Sequence, residues 1–168
     1  MLPVRVRRTH TIAERIPPRR AAADRSFDDE EETPVTMLKM FEYEEAAPEA
    51  RAVFDDIMAT RRTDWVNNFW KVLAGHPREL RRIWENVKAV MAPGALDPLT
   101  KELIYVAVSV TNNCEYCICS HTAAARAKGM TDAQFAELLA VVGLANETNR
   151  LANGYRMPVD PQFLPPHP

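Results

Sequence analysis

Long hydrophobic runs are missing from this chain of 168 residues. No window approaches the roughly 18 consecutive apolar residues of a membrane span, so no membrane association is expected. Neither sign of charge is in excess. The 21 Lys and Arg against 23 Asp and Glu leave a net charge of -2, which offers no general attraction to nucleic acid or to anionic lipid. The N-terminal arginines have no apolar h-region behind them, so no secretory signal is expected and the expected compartment is the reducing cytoplasm. There is no Gly-rich phosphate loop, no hairpin dipeptide between alternating runs and no internal repeat. Cysteine is scarce as well. The three present, Cys114, Cys117 and Cys119, are too close in sequence for a disulfide scaffold and form a reactive or metal-binding cluster, expected to rest as thiols.

What the chain does have is helical periodicity between two tails. Residues 1–35 carry scattered arginines, the acidic run Asp28 to Glu32 and several prolines with little apolar pattern, and are expected to be a disordered tail. Residues 158–168 are rich in proline and cannot continue a helix. Residues 36–157 read as a single all-α domain, a bundle of about seven helices. Behind Pro48, residues Ala50, Val53, Phe54, Ile57 and Met58 form one amphipathic stripe. Leu80, Ile83, Trp84, Val87 and Met91 form another behind Pro77. A shorter helix is expected from Trp65 to Ala74, with Trp65, Phe69, Trp70 and Leu73 in the core. Asp97-Pro98 is an N-cap with proline at the first helical position, opening a helix through Leu103 to Val108 that is apolar on every side and so expected to be central and buried. Gly129 ends the following helix, and Thr131 with Gln134 makes a capping box with Met130 and Phe135 as its staple. Phe135, Leu138, Leu139 and Val142 supply the next stripe, and a last, weaker helix is expected from Asn146 to Tyr155.

The cysteines fall at a helix start, after a break at Asn112-Asn113. Free N–H groups and the positive end of the helix dipole stabilise a thiolate there. At about 100° per residue, Cys117 lies roughly 60° and His121 roughly 20° from Cys114 around the helix, while Cys119 lies about 140° away. Three groups therefore share a sector, and Cys119 is expected to be a small packed residue. Glu102 stands in line with Leu99, Leu103, Val106 and Val110, where a carboxylate is costly unless partnered. If the chain folds back at Asn112-Asn113, equal rise on both arms brings His121 within about one turn of Glu102. Glutamate, imidazole and Cys117 then form a proton path; the plainer alternative pairs Glu102 with an arginine such as Arg126.

The pattern Glu102-x11-Cys114-x-x-Cys117-x3-His121 resembles the alkyl hydroperoxidase D-like branch of the carboxymuconolactone decarboxylase family. The likeness runs from about residue 46 to about 157, through Met91 to Asp97 and on to Asn146 to Arg150. It implies an all-helical fold with the redox motif at the start of a central helix. Further, it implies that Cys117 attacks a peroxide and becomes a sulfenic acid, that Cys114 is its proton donor and disulfide partner, and that His121 and Glu102 form the relay. A thiol-dependent peroxidase or disulfide reductase follows, without cofactor or metal, regenerated by an external dithiol. A homo-oligomer is implied too, a trimer or a multiple of it. One departure stands out, since the well-studied member of the branch has a second histidine between its cysteines where this chain has Tyr116.

Other readings compete with this one. Decarboxylase members of the family act on a lactone without a cofactor and lack the cysteine pair. A zinc module would use Cys114, Cys117 and His121 with Glu102 as fourth ligand, but three ligands on one helix surface fit a tetrahedron poorly. A helical oligomer with inert thiols is a third class. The histidines outside the motif, His10, His76 and His167, are assigned no role, and Asn149 and Arg150 are read as exposed helix residues.

Overall fold

The computed structural model describes residues 37–164. The N-terminal stretch expected to be a disordered tail and the last four residues lie outside the described residues. Six α-helices and one short 3-10 turn, with no strand, make up the regular structure among the described residues, so the class is all-α. They are α1 (Pro48–Arg61), α2 (Asn68–Leu73), α3 (Pro77–Met91), α4 (Pro98–Thr111), α5 (Glu115–Ala127) and α6 (Asp132–Gly154), followed by the turn Pro161–Phe163.

Local chemistry accounts for the boundaries. Proline opens α1, α3 and α4, where its missing N–H costs nothing and its φ is already helical. The Asp97 carboxylate accepts from the Thr100 N–H at 3.0 Å, and Thr131 with Gln134 closes the expected capping box at the head of α6. Besides Arg62, at 55° after α1, three residues with left-handed φ end helices: Asn113 at 55° after α4, Gly129 at 96° after α5 and Arg156 at 51° after α6. At each, a pair of reverse bonds satisfies the last carbonyls; after α4 these run from Cys114 N to Ser109 O and from Asn113 N to Val110 O. That turn folds α5 back along α4, the most extensively packed helix pair of the chain.

The hydrophobic core lies in α1 to α3. Ala50, Val53, Phe54, Ile57, Trp70, Leu80 and Trp84 are buried there, with the Trp70 and Trp84 rings edge to face at 5.4 Å. The Trp84 indole N–H and the Lys88 ammonium both donate to Asp56 Oδ2, at 2.7 and 2.6 Å, tying α3 to α1. Lys88 and then Trp84 hold the Asp56 carboxyl below the usual carboxylate range, against a smaller upward push from burial.

Several expectations are corrected. The stripe through Val142 and the segment from Asn146 form one helix of 23 residues, which accounts for six helices in place of seven. Gly143 interrupts the apolar pattern but is tolerated inside α6, at a cost of about 1 kcal/mol relative to alanine. Helix α2 is shorter than expected, and only Trp70 of its aromatic residues is buried; Trp65 is 63% exposed and Phe69 44%. Helix α4 is not buried all round. Its Glu102, Val106 and Ser109 face inward, while Ile104, Tyr105 and Val108 are exposed. Hydrophobicity on every side marks a helix that needs covering, and within one chain α5 and α6 cover only part of α4.

Candidate active site

Cys114 is the N-cap of α5 and Cys117 lies in its first turn, so both sulfurs sit at the positive end of the helix. The Cys117 N–H donates to Cys114 Sγ at 3.3 Å. The two sulfurs are joined as a disulfide across 5.3 Å between Cα atoms, where resting thiols were expected. A C-x-x-C pair at a helix start brings its Cβ atoms close enough for this bond, so the pair can interconvert between dithiol and disulfide. Cys119, expected to be packed, is exposed and free of any disulfide, because the same helical rotation carries it to the solvent side of α5.

The fold-back at Asn113 brings Glu102 of α4 to His121 of α5, with Nδ1 and Oε2 2.7 Å apart. The Glu102 residue is only 5% exposed. Burial by itself pushes its carboxyl up; the hydrogen bonds from His121 and Lys128 outweigh this and leave it below the ordinary glutamate range. An ionised carboxylate only accepts, so His121 Nδ1 carries the proton and Nε2 is left free to take another. The Tyr105 ring stacks on the imidazole at 3.5 Å and 15°, fixing its plane from the face as Glu102 does from the edge.

The alternative pairing of Glu102 with Arg126 does not occur. Arg126 pairs with Asp132 at 2.9 Å, and the second Glu102 oxygen accepts instead from Lys128 Nζ at 3.0 Å. Sequence reasoning passed over Lys128 and Tyr105. Each carries a positional signal, Lys128 lying seven residues beyond His121 on the same helix face and Tyr105 three beyond Glu102.

An open groove of about 520 Å³ runs beside the disulfide, with Cys114, Cys117, Tyr105, Ile104, Val108 and Leu96 among its lining residues. Tyr105 thus borders the groove and also covers the imidazole. Tyr116 turns elsewhere: its hydroxyl accepts from Asn67 Nδ2 at 2.8 Å and from the Phe69 N–H at 3.1 Å, latching α5 to the head of α2. Among the described residues no group of three or more His, Cys, Asp or Glu side chains is placed to hold a metal ion.

An all-helical fold with a disulfide-forming Cys-x-x-Cys at a helix start beside a buried glutamate paired with a histidine is the class of protein these observations define. It is also the fold of the alkylhydroperoxidase AhpD core from Rhodospirillum rubrum, whose crystal structure is matched at 56% identity with a TM-score of 0.75, over 77% of this chain and 98% of that one. The family model for the carboxymuconolactone decarboxylase family matches residues 77–158, and the chain belongs to that family. Two uncharacterised relatives are similar in sequence. Uncharacterized protein 4 in the cox locus of Paracoccus denitrificans is 46% identical over 52 residues, 31% of this chain and 47% of its own length, so the match spans about half of that protein. An uncharacterised protein of Cupriavidus necator is 32% identical over 84 residues, 50% of this chain and 74% of its own length. No described helix is long and apolar enough to cross a membrane.

Proposed function

We propose that the protein is a thiol-dependent oxidoreductase that reduces a peroxide or a small disulfide with the Cys114–Cys117 pair. The observation that carries this reading is the redox pair at the head of α5, one turn from an imidazole whose Nδ1 is committed to a buried carboxylate. In the reduced protein, His121 Nε2 takes the Cys117 proton. The thiolate attacks one peroxide oxygen, the O–O bond breaks, and the departing alkoxide leaves as an alcohol with a proton from the relay. Cys117 is then a sulfenic acid. Cys114 attacks its sulfur, water leaves and the disulfide forms; an external dithiol returns two electrons and two protons. The similarity to the alkylhydroperoxidase AhpD core supports the same chemistry.

The working form under this reading is a homo-oligomer, a trimer or a multiple of it, in the cytoplasm. The exposed Ile104 and Val108 of α4 and Val141 and Leu144 of α6 support an assembly that covers these faces.

Peroxide added to the reduced full chain, followed by mass spectrometric mapping, tests the chemistry. A Cys114–Cys117 bridge is expected in the parent, overoxidised Cys117 in Cys114→Ser, and a loss of peroxide consumption of about a thousandfold or more in Cys117→Ser. Catalytic consumption that survives Cys117→Ser overturns the assignment.

A further inference from the structure

Glu102 has two oxygens, and the relay uses one. Its other oxygen accepts from Lys128 Nζ at 3.0 Å, while the Lys128 side chain is 38% exposed and the carboxylate 7%. Lys128 is the residue that caps α5, held there by the turn that Gly129 closes. An exposed lysine at a helix end satisfies the dipole from many positions; this one reaches back to a buried acid on the neighbouring helix. The charged groups around the carboxylate are His121 and Lys128 from α5 and, acting from the end of α1, Arg61.

Glu102 is the buried member of this group, while His121 and Lys128 reach it from a part-exposed side, so the buried negative charge needs a cation in contact with it. Lys128 is the cation in direct contact with the carboxylate and matches its charge there, whereas Arg61 acts from a distance and gives its hydrogen bond to Asn67. Without Lys128, the carboxylate's one remaining contact among the described residues is His121 and its charge favours an imidazolium there, which has no free lone pair for the Cys117 proton.

We infer that Lys128 is a positioning residue of the relay, holding Glu102 as a carboxylate whose charge is already matched so that His121 stays free to accept a proton from Cys117. It touches no reacting atom and acts through Glu102. This inference rests on the proposed thiol chemistry for its meaning, but its test does not depend on peroxide turnover.

The test follows reduced full-length protein across pH by two readouts, the rate of peroxide-driven Cys114–Cys117 bridging and the rate of Cys117 alkylation by iodoacetamide. Lys128→Met is expected to slow bridging about tenfold at pH 7 and to move the acidic limb of both profiles upward by about one pH unit. The direction follows from charge, since removal of a cation lets the relay hold a proton at higher pH. Lys128→Arg restores both within about twofold, and in a Glu102→Gln background Lys128→Met adds nothing further. Circular dichroism melting shows that the variants fold, and Lys128→Gln serves if the methionine variant does not. An unmoved limb in Lys128→Met, or the same loss in the Glu102→Gln background, overturns the inference. If the parent consumes no peroxide or disulfide, the proposed function fails, and the alkylation profiles alone decide the role of Lys128: a moved limb supports it and an unmoved one overturns it.

Discussion

Between Ala46 and Trp84 every buried side chain is apolar, and together they form a continuous core around two tryptophans. From α4 onward the buried set is smaller and includes both buried polar residues, Glu102 and Ser109. There the larger apolar side chains Ile104, Tyr105, Val108, Val141 and Leu144 lie outside. The first region is stabilised by its own burial of hydrophobic surface. The second buries the Glu102 carboxylate, with His121 and Lys128 reaching it from a part-exposed side, and leaves hydrophobic surface exposed. The two interiors thus differ along the chain, and the cysteine pair, the Glu102–His121 pair and all of the apolar groove but its Val90 and Met91 edge lie on the side that does not close upon itself.

The largest expected effect attacks the first region. Trp84→Ala removes the edge-to-face partner of Trp70 and the indole N–H that binds Asp56, leaving a large cavity, and is expected to cost about 3–5 kcal/mol in urea denaturation. A loss below about 1 kcal/mol would mean that the tryptophan pair does not hold α1 to α3 together. The next effect attacks the face of the second region. Val108, 53% exposed, is expected to lie between copies, so Val108→Asp should weaken assembly by about a hundredfold or more, near 3 kcal/mol, read by sedimentation equilibrium with helical content unchanged. A parent protein that sediments as a monomer removes the reason given for the exposed face.

The same division explains what was legible in the sequence. Helices α1 and α3 follow from local rules, a proline at the first position and a stripe at i, i+3, i+4, and their buried residues Ala50, Val53, Phe54, Ile57, Leu80 and Trp84 are the ones that the stripes named. The meeting of Glu102 and His121 was legible too, because the Asn112-Asn113 turn and the fixed rise of two antiparallel helices set the register. Helix α4 was misread for a physical reason. An all-apolar pattern does not report which of its faces the rest of the chain covers, and Ile104, Tyr105 and Val108 are left exposed. Trp65 and Phe69 failed in the same way, and Cys119 failed because a cysteine on the outer face of a helix has no compositional mark. The choice of Lys128 over Arg126 is a matter of side-chain reach, which spacing alone does not resolve.

Glu102 offers the smallest of the three effects on stability and the sharpest contrast between the regions, because it is a buried charge where the buried side chains of the first region carry none. Glu102→Gln keeps the shape but removes the charge and leaves one acceptor oxygen where the carboxylate has two, so the amide cannot accept from both His121 and Lys128, an expected cost of about 1.5–3 kcal/mol at pH 7. The pH dependence carries the sign. Glu102 titrates below its ordinary range in the folded chain, so over the acidic interval the unfolded chain binds more protons than the folded one, and stability rises with pH there. The contribution is fully present above the unfolded value of about 4.3 and is lost as pH falls through the lower, folded value. Denaturation midpoints of the parent should therefore fall more steeply than those of Glu102→Gln from about pH 5 downward, and the gap between the two proteins should narrow with acid. Parallel curves would mean that Glu102 is not held as a carboxylate, and the division between an uncharged interior in α1 to α3 and a charged one in α4 and α5 would lose its physical basis.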